Sequence, residues 1–360
     1  MSLVNRPTLI PGLPRAWRGR TELQLGSGPT RAVLLRLPEP RAAHVLDLLD
    51  GSRSERLVLL HAAEQGIPAH ETRAVIATLH AAGLAMPAAA LFPPALPHSA
   101  RARLISEATA LALHGTRRSG TGPRHGHPTP ASVLRRRASS RVVLAGHGRL
   151  GAAIAVTLAE AGVGHIQPEV SGTVTLGELA AGPLREADVG RPRREALAAA
   201  VTRASPGAGT QGVRRGAAAL VIQLDHDEPV DLVAAAHASR RQPHLAVTIR
   251  EGAAVVGPLV PAAGGPCLSC LDMHRKDRDA LWPGPRRAQV PEPCAATTLL
   301  AAAAYAAAEA LTFLDGGTPE TLGASAEITT PGRVRRRTWP PHPHCDCSRR
   351  RSYAGARSDD

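Results

Sequence analysis

The chain has 360 residues, 43% of them hydrophobic and 20% charged, which allows a buried core for two domains and excludes wholesale disorder. With only two Phe, two Tyr and three Trp, that core must be built from Ala, Leu and Val. A formal charge of +13 ordinarily points to a polyanion, but the basic residues are Arg almost throughout, with Lys276 the one lysine, in an Ala-, Gly- and Pro-heavy vocabulary that reads as composition bias.

Met1–Pro14 shows no apolar run of a secretory signal. The most apolar segment, Leu299–Leu311, is about 13 residues long, contains Glu309, and falls short of the ~20 residues needed to span a bilayer. Four of the five cysteines form two tight pairs, the pattern of metal chemistry in a reducing compartment, so a soluble cytoplasmic protein without a membrane segment is expected.

Residues 1–86 read as one domain. Thr21–Leu25 and Arg31–Arg36 alternate around Gly26-Ser27-Gly28-Pro29, a hairpin by turn chemistry. Pro38 opens a helix carrying Val45, Leu46, Leu48 and Leu49 that ends at Gly51; a second runs from about Ser54 to Gln65, and a third from Pro68 to Gly83. A two-stranded wing with three short helices is a winged helix-turn-helix pattern. As a DNA reader it is poorly equipped, because the helix Ala69–Ala82 holds only Arg73 among Arg and Lys, so a winged-helix transcriptional regulator ranks last and nucleic acid is not an expected partner.

Residues 87–140 read as a Pro-, Gly- and Arg-rich linker with one helix, about Ala100 to Leu113, and with Arg135-Arg136-Arg137 as a solvated basic spacer. Residues 141–348 alternate strand and helix: Val142–Ala145 strand, a helix after Arg149 to Ala161, Arg193–Thr202 helix, Ala219–Leu224 strand, Val230–Ser239 helix, Leu245–Ile249 strand. That order predicts an α/β domain with a mainly parallel, Rossmann-like sheet. Residues 349–360 read as a disordered basic tail.

Gly146-His147-Gly148-Arg149-Leu150-Gly151 is a full G-x-G-x-x-G between an apolar strand and an apolar helix, where backbone N–H groups and the helix dipole can receive phosphate. By itself this fingerprint also admits a nicotinamide dehydrogenase, but nothing supplies a hydride-transfer site. The ribose-binding acid expected about twenty positions on is represented only by Glu169, after Pro168. Asp225-His226-Asp227-Glu228 follows a strand, a place either for Mg²⁺ beside a nucleotide or for a solvated acidic turn. Cys267-Leu268-Ser269-Cys270 and Cys345-Asp346-Cys347 make a closed four-thiolate set suited to structural Zn²⁺, with His342 and His344 as possible substitutes. Cys294, before the helix Ala295–Leu311, is either a dipole-activated thiol or a small helix-start residue.

The string Val142–Ile166, VVLAGHGRLGAAIAVTLAEAGVGHI, together with Leu184–Pro206, the acidic turn and GGPCLSC, resembles the ThiF/MoeB superfamily of ubiquitin-activating-enzyme-like proteins. The resemblance covers most of Arg141 to Cys347 and implies a ThiF-type fold with a zinc knuckle, ATP and Mg²⁺ as cofactors, and activation of a carboxylate as an acyl adenylate. It implies Gly146, Gly148, Gly151 and Glu169 for nucleotide, Asp227 for metal and adenylate, and Cys267, Cys270, Cys345 and Cys347 for zinc. The family's catalytic lysine falls near Arg193 and its γ-phosphate arginine near Ala180-Ala181; an Arg in place of that Lys keeps charge but changes shape. The small N-terminal domain resembles the leader-peptide-binding domains of azole and thiopeptide biosynthesis. That implies capture of a precursor leader peptide by strand addition to the wing, with Leu46, Leu49 and Leu79 lining helix pockets, and its presentation to a cyclodehydratase partner with adenylation reduced; the superfamily resemblance implies a homodimer formed through the α/β domain. An active adenylyltransferase acting on a peptide or ubiquitin-like carrier is the alternative.

Overall fold

The structure, a computed structural model, describes residues 6–28, 32–118, 128–213, 216–284 and 292–347. The expected basic tail, residues 349–360, lies outside the described residues. The chain separates into two units, Met1–Arg135 and Arg136–Asp360.

In the first unit, β1 (Pro7–Leu9) is followed by β2 (Arg15–Trp17), β3 (Glu22–Leu25) and β4 (Val33–Arg36), then α1 (Val45–Leu48), α2 (Glu55–Glu64), α3 (Ala69–Ala81), β5 (Ala85–Pro87), α4 (Ala88–Leu91) and α5 (His98–Arg118). The predicted hairpin is β3–β4, but β2 adds a third antiparallel strand to it, and β1 pairs with β5. Sequence alternation cannot reveal β2, because all three of its residues are exposed. The second and third helices start and stop where predicted, whereas the first, expected from Pro38 to Gly51, is a 3-10 turn over Pro40–His44 that runs into the short α1. The Ser54 hydroxyl accepts from the Leu57 amide at 3.4 Å, Pro68 opens α3, and the turn after α3 closes on Gly83 with φ +70°. Leu25, Val58, Ile67 and Leu79 are fully buried between sheet and helices.

The stretch 88–139 corrects the linker expectation: it holds α4, α5 and α6 (Pro130–Ser139) instead of one helix. Pro97 and Pro130 stand at helix starts, where the missing N–H costs nothing, so these prolines punctuate helices without breaking them. Leu91, Ala108, Ala112 and Leu134 bury themselves with Ile10.

The second unit is built on β6 (Arg141–Gly146), α7 (Leu150–Glu160), β7 (His165–Val170), α8 (Arg193–Ala204), β8 (Leu220–Gln223), α9 (Val230–Ser239), β9 (His244–Arg250), β10 (Ala253–Val260), α10 (Leu268–Arg278), α11 (Ala296–Leu314), β11 (Ala324–Thr330) and β12 (Arg333–Thr338). One seven-stranded sheet runs in the order β12-β11-β10-β9-β8-β6-β7. β7, β6, β8 and β9 are parallel, as predicted, and β10, β11 and β12 extend the sheet antiparallel. Pro168 sits inside β7 without disrupting it because β7 is an edge strand.

α11 has 19 residues, longer than its apolar run suggested, and meets the length and composition of a membrane span; half of it is buried in this domain, laid against α7 and β10. Its inward carboxylate, Glu309, accepts from the amide and hydroxyl of Thr321 at 2.7 and 2.6 Å.

The triplet Arg135-Arg136-Arg137 is not a solvated spacer. Arg137 is 3% exposed, and its guanidinium holds both Asp315 oxygens (2.9 and 2.6 Å) and the Ala161 carbonyl (3.0 Å). A helix turns one of three consecutive residues inward, which a charge count does not show.

Beside β8, His237 of α9 stacks on His244 of β9 with ring centroids 4.1 Å apart, and its Nε2 meets Gln223 Oε1 at 3.0 Å. Burial, with repulsion from His244 and Arg240, pushes His237 from 6.5 down to about 4. The unfolded chain therefore takes up this proton first: the contribution is full above about pH 6.5 and is lost as pH falls towards 4. After allowance for partial exposure, about 1–2 kcal/mol of stability should disappear over that window. His237→Gln should flatten that part of the profile in urea titrations run at stepped pH; an unchanged profile would remove His237 as its source.

Candidate functional sites

β6 delivers the glycine turn to the carboxyl edge of the parallel strands. Gly146 and Gly148 have φ of +104° and +122°, the left-handed range glycine tolerates. A Cβ at Gly146 would collide with the Asp225 carbonyl, which already accepts from the His147 amide at 2.8 Å. A Cβ at Gly151 would come within 2.8 Å of Leu224 Cδ1, so that glycine sets the approach of α7 to the sheet. The three glycines thus stand together, as the fingerprint predicts. Glu169 lies at the carboxyl end of β7, opposite Ala145 of β6, exposed and bonded by Gln167 Nε2 at 2.5 Å.

The acidic turn divides its labour. Asp225 accepts from the Thr248 hydroxyl and from the Ile249 amide, which ties β8 to β9. Asp227 places a carboxylate oxygen 3.4 Å from His147 Nε2, in the middle of the glycine turn.

Arg193 is a clamp. From the first turn of α8 it donates to both oxygens of Glu178 (2.9 and 2.8 Å) and to the carbonyls of Ser171 and Thr173. Burial alone would raise the Glu178 carboxyl, but the Arg193 guanidinium and the Thr175 amide hold it below its ordinary value. The structure therefore brings Asp227 to the glycine turn and binds Arg193 into the loop beyond β7.

Sequence reasoning missed the residue that fills the turn. Glu292 accepts from the Arg149 amide at 3.1 Å, its Oε1 lies 3.0 Å from where a Gly148 Cβ would stand, and Arg149 Nη1 grips the carbonyls of Glu292 and Cys294 (3.0 and 3.1 Å). Burial pushes the Glu292 carboxyl up, the Arg149 amide partly offsets that, and the Asp225 charge adds to it. A carboxylate at the N-terminal amide of α7 occupies the position chemically suited to phosphate. The turn fits a nucleotide phosphate in shape, but as built it does not admit one without moving Glu292. Nothing in the Pro-Glu-Pro context of position 292 announces this in sequence. Cys294 belongs to the same segment; burial raises its thiol, the opposite direction to the lowering a helix dipole would give.

The four knuckle cysteines converge. Cys267 at the N-terminus of α10 and Cys270 one turn on meet Cys345 and Cys347 with sulfur separations of 3.8 Å (267–270), 3.7 Å (267–345) and 3.2 Å (270–347). Four thiolates around a metal at ~2.3 Å lie ~3.8 Å apart, so the donor set fits a tetrahedral ion with no open position. The histidines are not needed as ligands. His342 donates its backbone N–H to Cys270 Sγ at 3.3 Å, while its ring meets Asp277 at 2.8 Å and accepts from the His344 amide at 3.2 Å.

In the first unit, β4 is one of the two edges of the β2-β3-β4 sheet and pairs with no strand on its outer side among the described residues. Leu37 N donates to Thr21 O, so pairing with β3 continues through Leu35 and Val33, and the N–H groups of Leu34 and Arg36 point away from the sheet. Beside this edge lies a groove of about 720 Å³ between β4 and α3, lined by Leu34, Leu37, His70, Ala74, Val75 and Thr78. The leucines expected to line it do not: Leu79 is wholly buried, and Leu46 and Leu49 border a different cavity beside Thr8 and Ile10.

Among curated proteins none matches the chain in sequence. Among solved structures, MccB of E. coli in a structure titled with ATP is 16% identical, with a TM-score of 0.59 over 95% of this chain and 99% of that one. MccB with MccA-N7isoASN is 16% identical, with a TM-score of 0.60 over the same shares, and PaaA is 15% identical, with a TM-score of 0.62 over 91% and 98%. These likenesses establish the fold along nearly the whole chain. The ThiF family model matches residues 127–349, which hold the glycine turn, the acidic turn and the cysteine cluster, and on that match the chain belongs to the ThiF family.

Proposed function

We propose that this chain acts in ribosomal-peptide natural product (azoline or thiopeptide) biosynthesis, where its N-terminal unit binds a precursor leader peptide and presents the precursor to a cyclodehydratase partner. Zn²⁺ in the cysteine cluster, a homodimeric state and a cytoplasmic setting belong to the same reading. The observation that carries it is the β4 edge: two outward N–H groups beside a groove with both apolar walls (Leu34, Leu37, Ala74, Val75) and polar ones (Arg36, His70, Glu71, Thr78) are what an extended peptide needs to add as a fourth strand. The structures of MccB with MccA lend the reading support, since MccB shares this fold.

Adenylation is proposed to be reduced. Glu292 fills the phosphate end of the glycine turn, Arg193 is held by Glu178, and the sole lysine, Lys276, pairs with Asp272 at 2.7 Å. Stabilising a transferring phosphate requires cationic groups aimed at it; Arg193 and Lys276 are engaged elsewhere, and Glu292 adds a negative charge where the phosphate would lie. The rival reading, an active adenylyltransferase using Mg²⁺ at Asp227, draws on the intact glycine turn and on the MccB structure titled with ATP.

Calorimetric titration of the full chain with a leader peptide encoded beside its gene, with and without ATP and Mg²⁺, separates the two. Peptide binding should not need nucleotide. Leu34→Pro removes one outward N–H while sparing the β3 pairing, and should weaken the peptide by about tenfold, the worth of one strand-addition bond with its neighbours. Peptide-dependent pyrophosphate release at an ordinary enzymatic rate would instead establish the adenylyltransferase.

A further inference from the structure

The antiparallel half of the second unit's sheet has two faces. Ile249, Ala254, Val256 and Ile328 turn to the apolar core, and by the two-residue period of strands Arg250, Val255, Glu327 and Arg337 turn to the other side. There α10 lays Arg275 near the sheet, and Trp339, 5% exposed, donates its indole N–H to Ser325 Oγ at 3.0 Å. The result is a recess of about 210 Å³ lined by Arg250, Arg275, Arg337, Trp339, Glu251 and Glu327. The Arg337 guanidinium stands 5.4 Å from the Trp339 ring and that of Arg278 5.6 Å, so cations flank the indole.

Carboxylates attract these arginines from a distance, Asp225, Asp272, Glu251 and Glu327 all acting on Arg250, but none closes on them. Among the described residues, none of Arg250, Arg275 and Arg337 has an ion pair within 4.0 Å or a side-chain hydrogen bond. The acids nearby are engaged: Asp272 takes Lys276 at 2.7 Å and the Trp282 indole at 3.0 Å, and Asp225 takes Thr248 and Ile249. Glu251 and Glu327 line the recess but stay beyond pairing distance. Burial, and then the Arg250 charge, pushes Arg275 down to about 10, with the Asp272 charge only partly offsetting that, and one face of its guanidinium lies 5.4 Å from the Trp282 ring. Arg250 and Arg275 are half-buried and Arg337 is exposed, so three like charges share one recess open to a solvent-borne anion.

The geometry points to an oxyanion site in this recess, in which the guanidinium forks of Arg250, Arg275 and Arg337 grip a carboxylate borne on a peptide or a phosphate, against the Trp339 ring. Guanidinium groups match the planar, two-oxygen edge of such ligands. The site belongs wholly to the second unit, so it does not depend on leader binding at β4.

The test uses the full, metal-replete chain and follows Trp fluorescence, with Trp339→Phe to assign the signal. One arm titrates inorganic phosphate, the other N-acetyl-glycyl-aspartate amide against its asparagine counterpart, both at constant ionic strength set with chloride. Saturable quenching by phosphate, by the aspartyl peptide, or by both supports the site, and the arm that responds names the source of the oxyanion. Arg337→Gln, at an exposed position, and Arg275→Gln should each weaken the responding probe at least tenfold, whereas Glu327→Gln should tighten it severalfold. No saturable binding in either arm, or equal affinity in both arginine variants with circular dichroism and metal content unchanged, overturns the proposal.

Discussion

Removing the Zn²⁺ proposed for the Cys267–Cys270–Cys345–Cys347 cluster, or substituting Cys270→Ser, is expected to lower the thermal midpoint of the second unit by roughly 10 °C. The cluster ties the start of α10 to the chain beyond β12 through side chains whose sulfurs already stand at metal-bridged spacing. Without an ion, nothing bridges the four sulfurs, and the segment carrying Trp339 and His342 loses its anchor. Loss of a structural metal site costs about 4 kcal/mol where the domain keeps a core of its own, and each kcal/mol moves the midpoint by ~2–4 °C in a domain this size. Calorimetric scans before and after treatment with a strong chelator, alongside metal analysis expected to give about one zinc per chain, check it. Because thiolates must be unprotonated to bind, the metal should also leave as pH falls. A midpoint unmoved by complete metal removal would show the cysteines to be packing residues only.

The cluster was legible because C-x-x-C and C-x-C spacing carries its chemistry in a few residues, and the same holds for the glycine turn. There an apolar strand, three glycines and an apolar helix agree, so β6, the turn and α7 emerge in register with the sequence reading. Legibility failed where pattern and packing part company. β12, Arg-Val-Arg-Arg-Arg-Thr, is exposed throughout and shows no apolar face; its charges suit an edge strand that must not pair with another chain. β7 hid behind Pro168, which only its edge position makes acceptable. At the site, Asp227 could be placed from its position after a strand, but Glu292 could not: its contact with Arg149 joins residues 143 positions apart through no periodic or motif signal. Arg193 was in view as a cation; that Glu178 would claim it depends on the loop after β7, which no local rule predicts.

Arg137→Ala is expected to destabilise the second unit by about 3–5 kcal/mol, the range for breaking one side of a buried ion pair. The Arg137 side chain is 4% exposed and that of Asp315 is 20% exposed, so water does little to screen the pair. The contact also closes two helix ends: Ala161 ends α7, Asp315 ends α11, and a cation there offsets the carbonyls' partial negative charge. Truncation would leave the Asp315 carboxylate without its fork and the Ala161 carbonyl without a donor. Urea unfolding in a Trp17→Phe background confines the fluorescence signal to Trp282 and Trp339, both in the second unit. The midpoint should fall at constant slope, and Arg137→Met with Asp315→Asn should recover most of the loss, because the double variant buries no lone charge. A single-variant cost below about 1 kcal/mol would place the pair with exposed ion pairs, whatever its geometry.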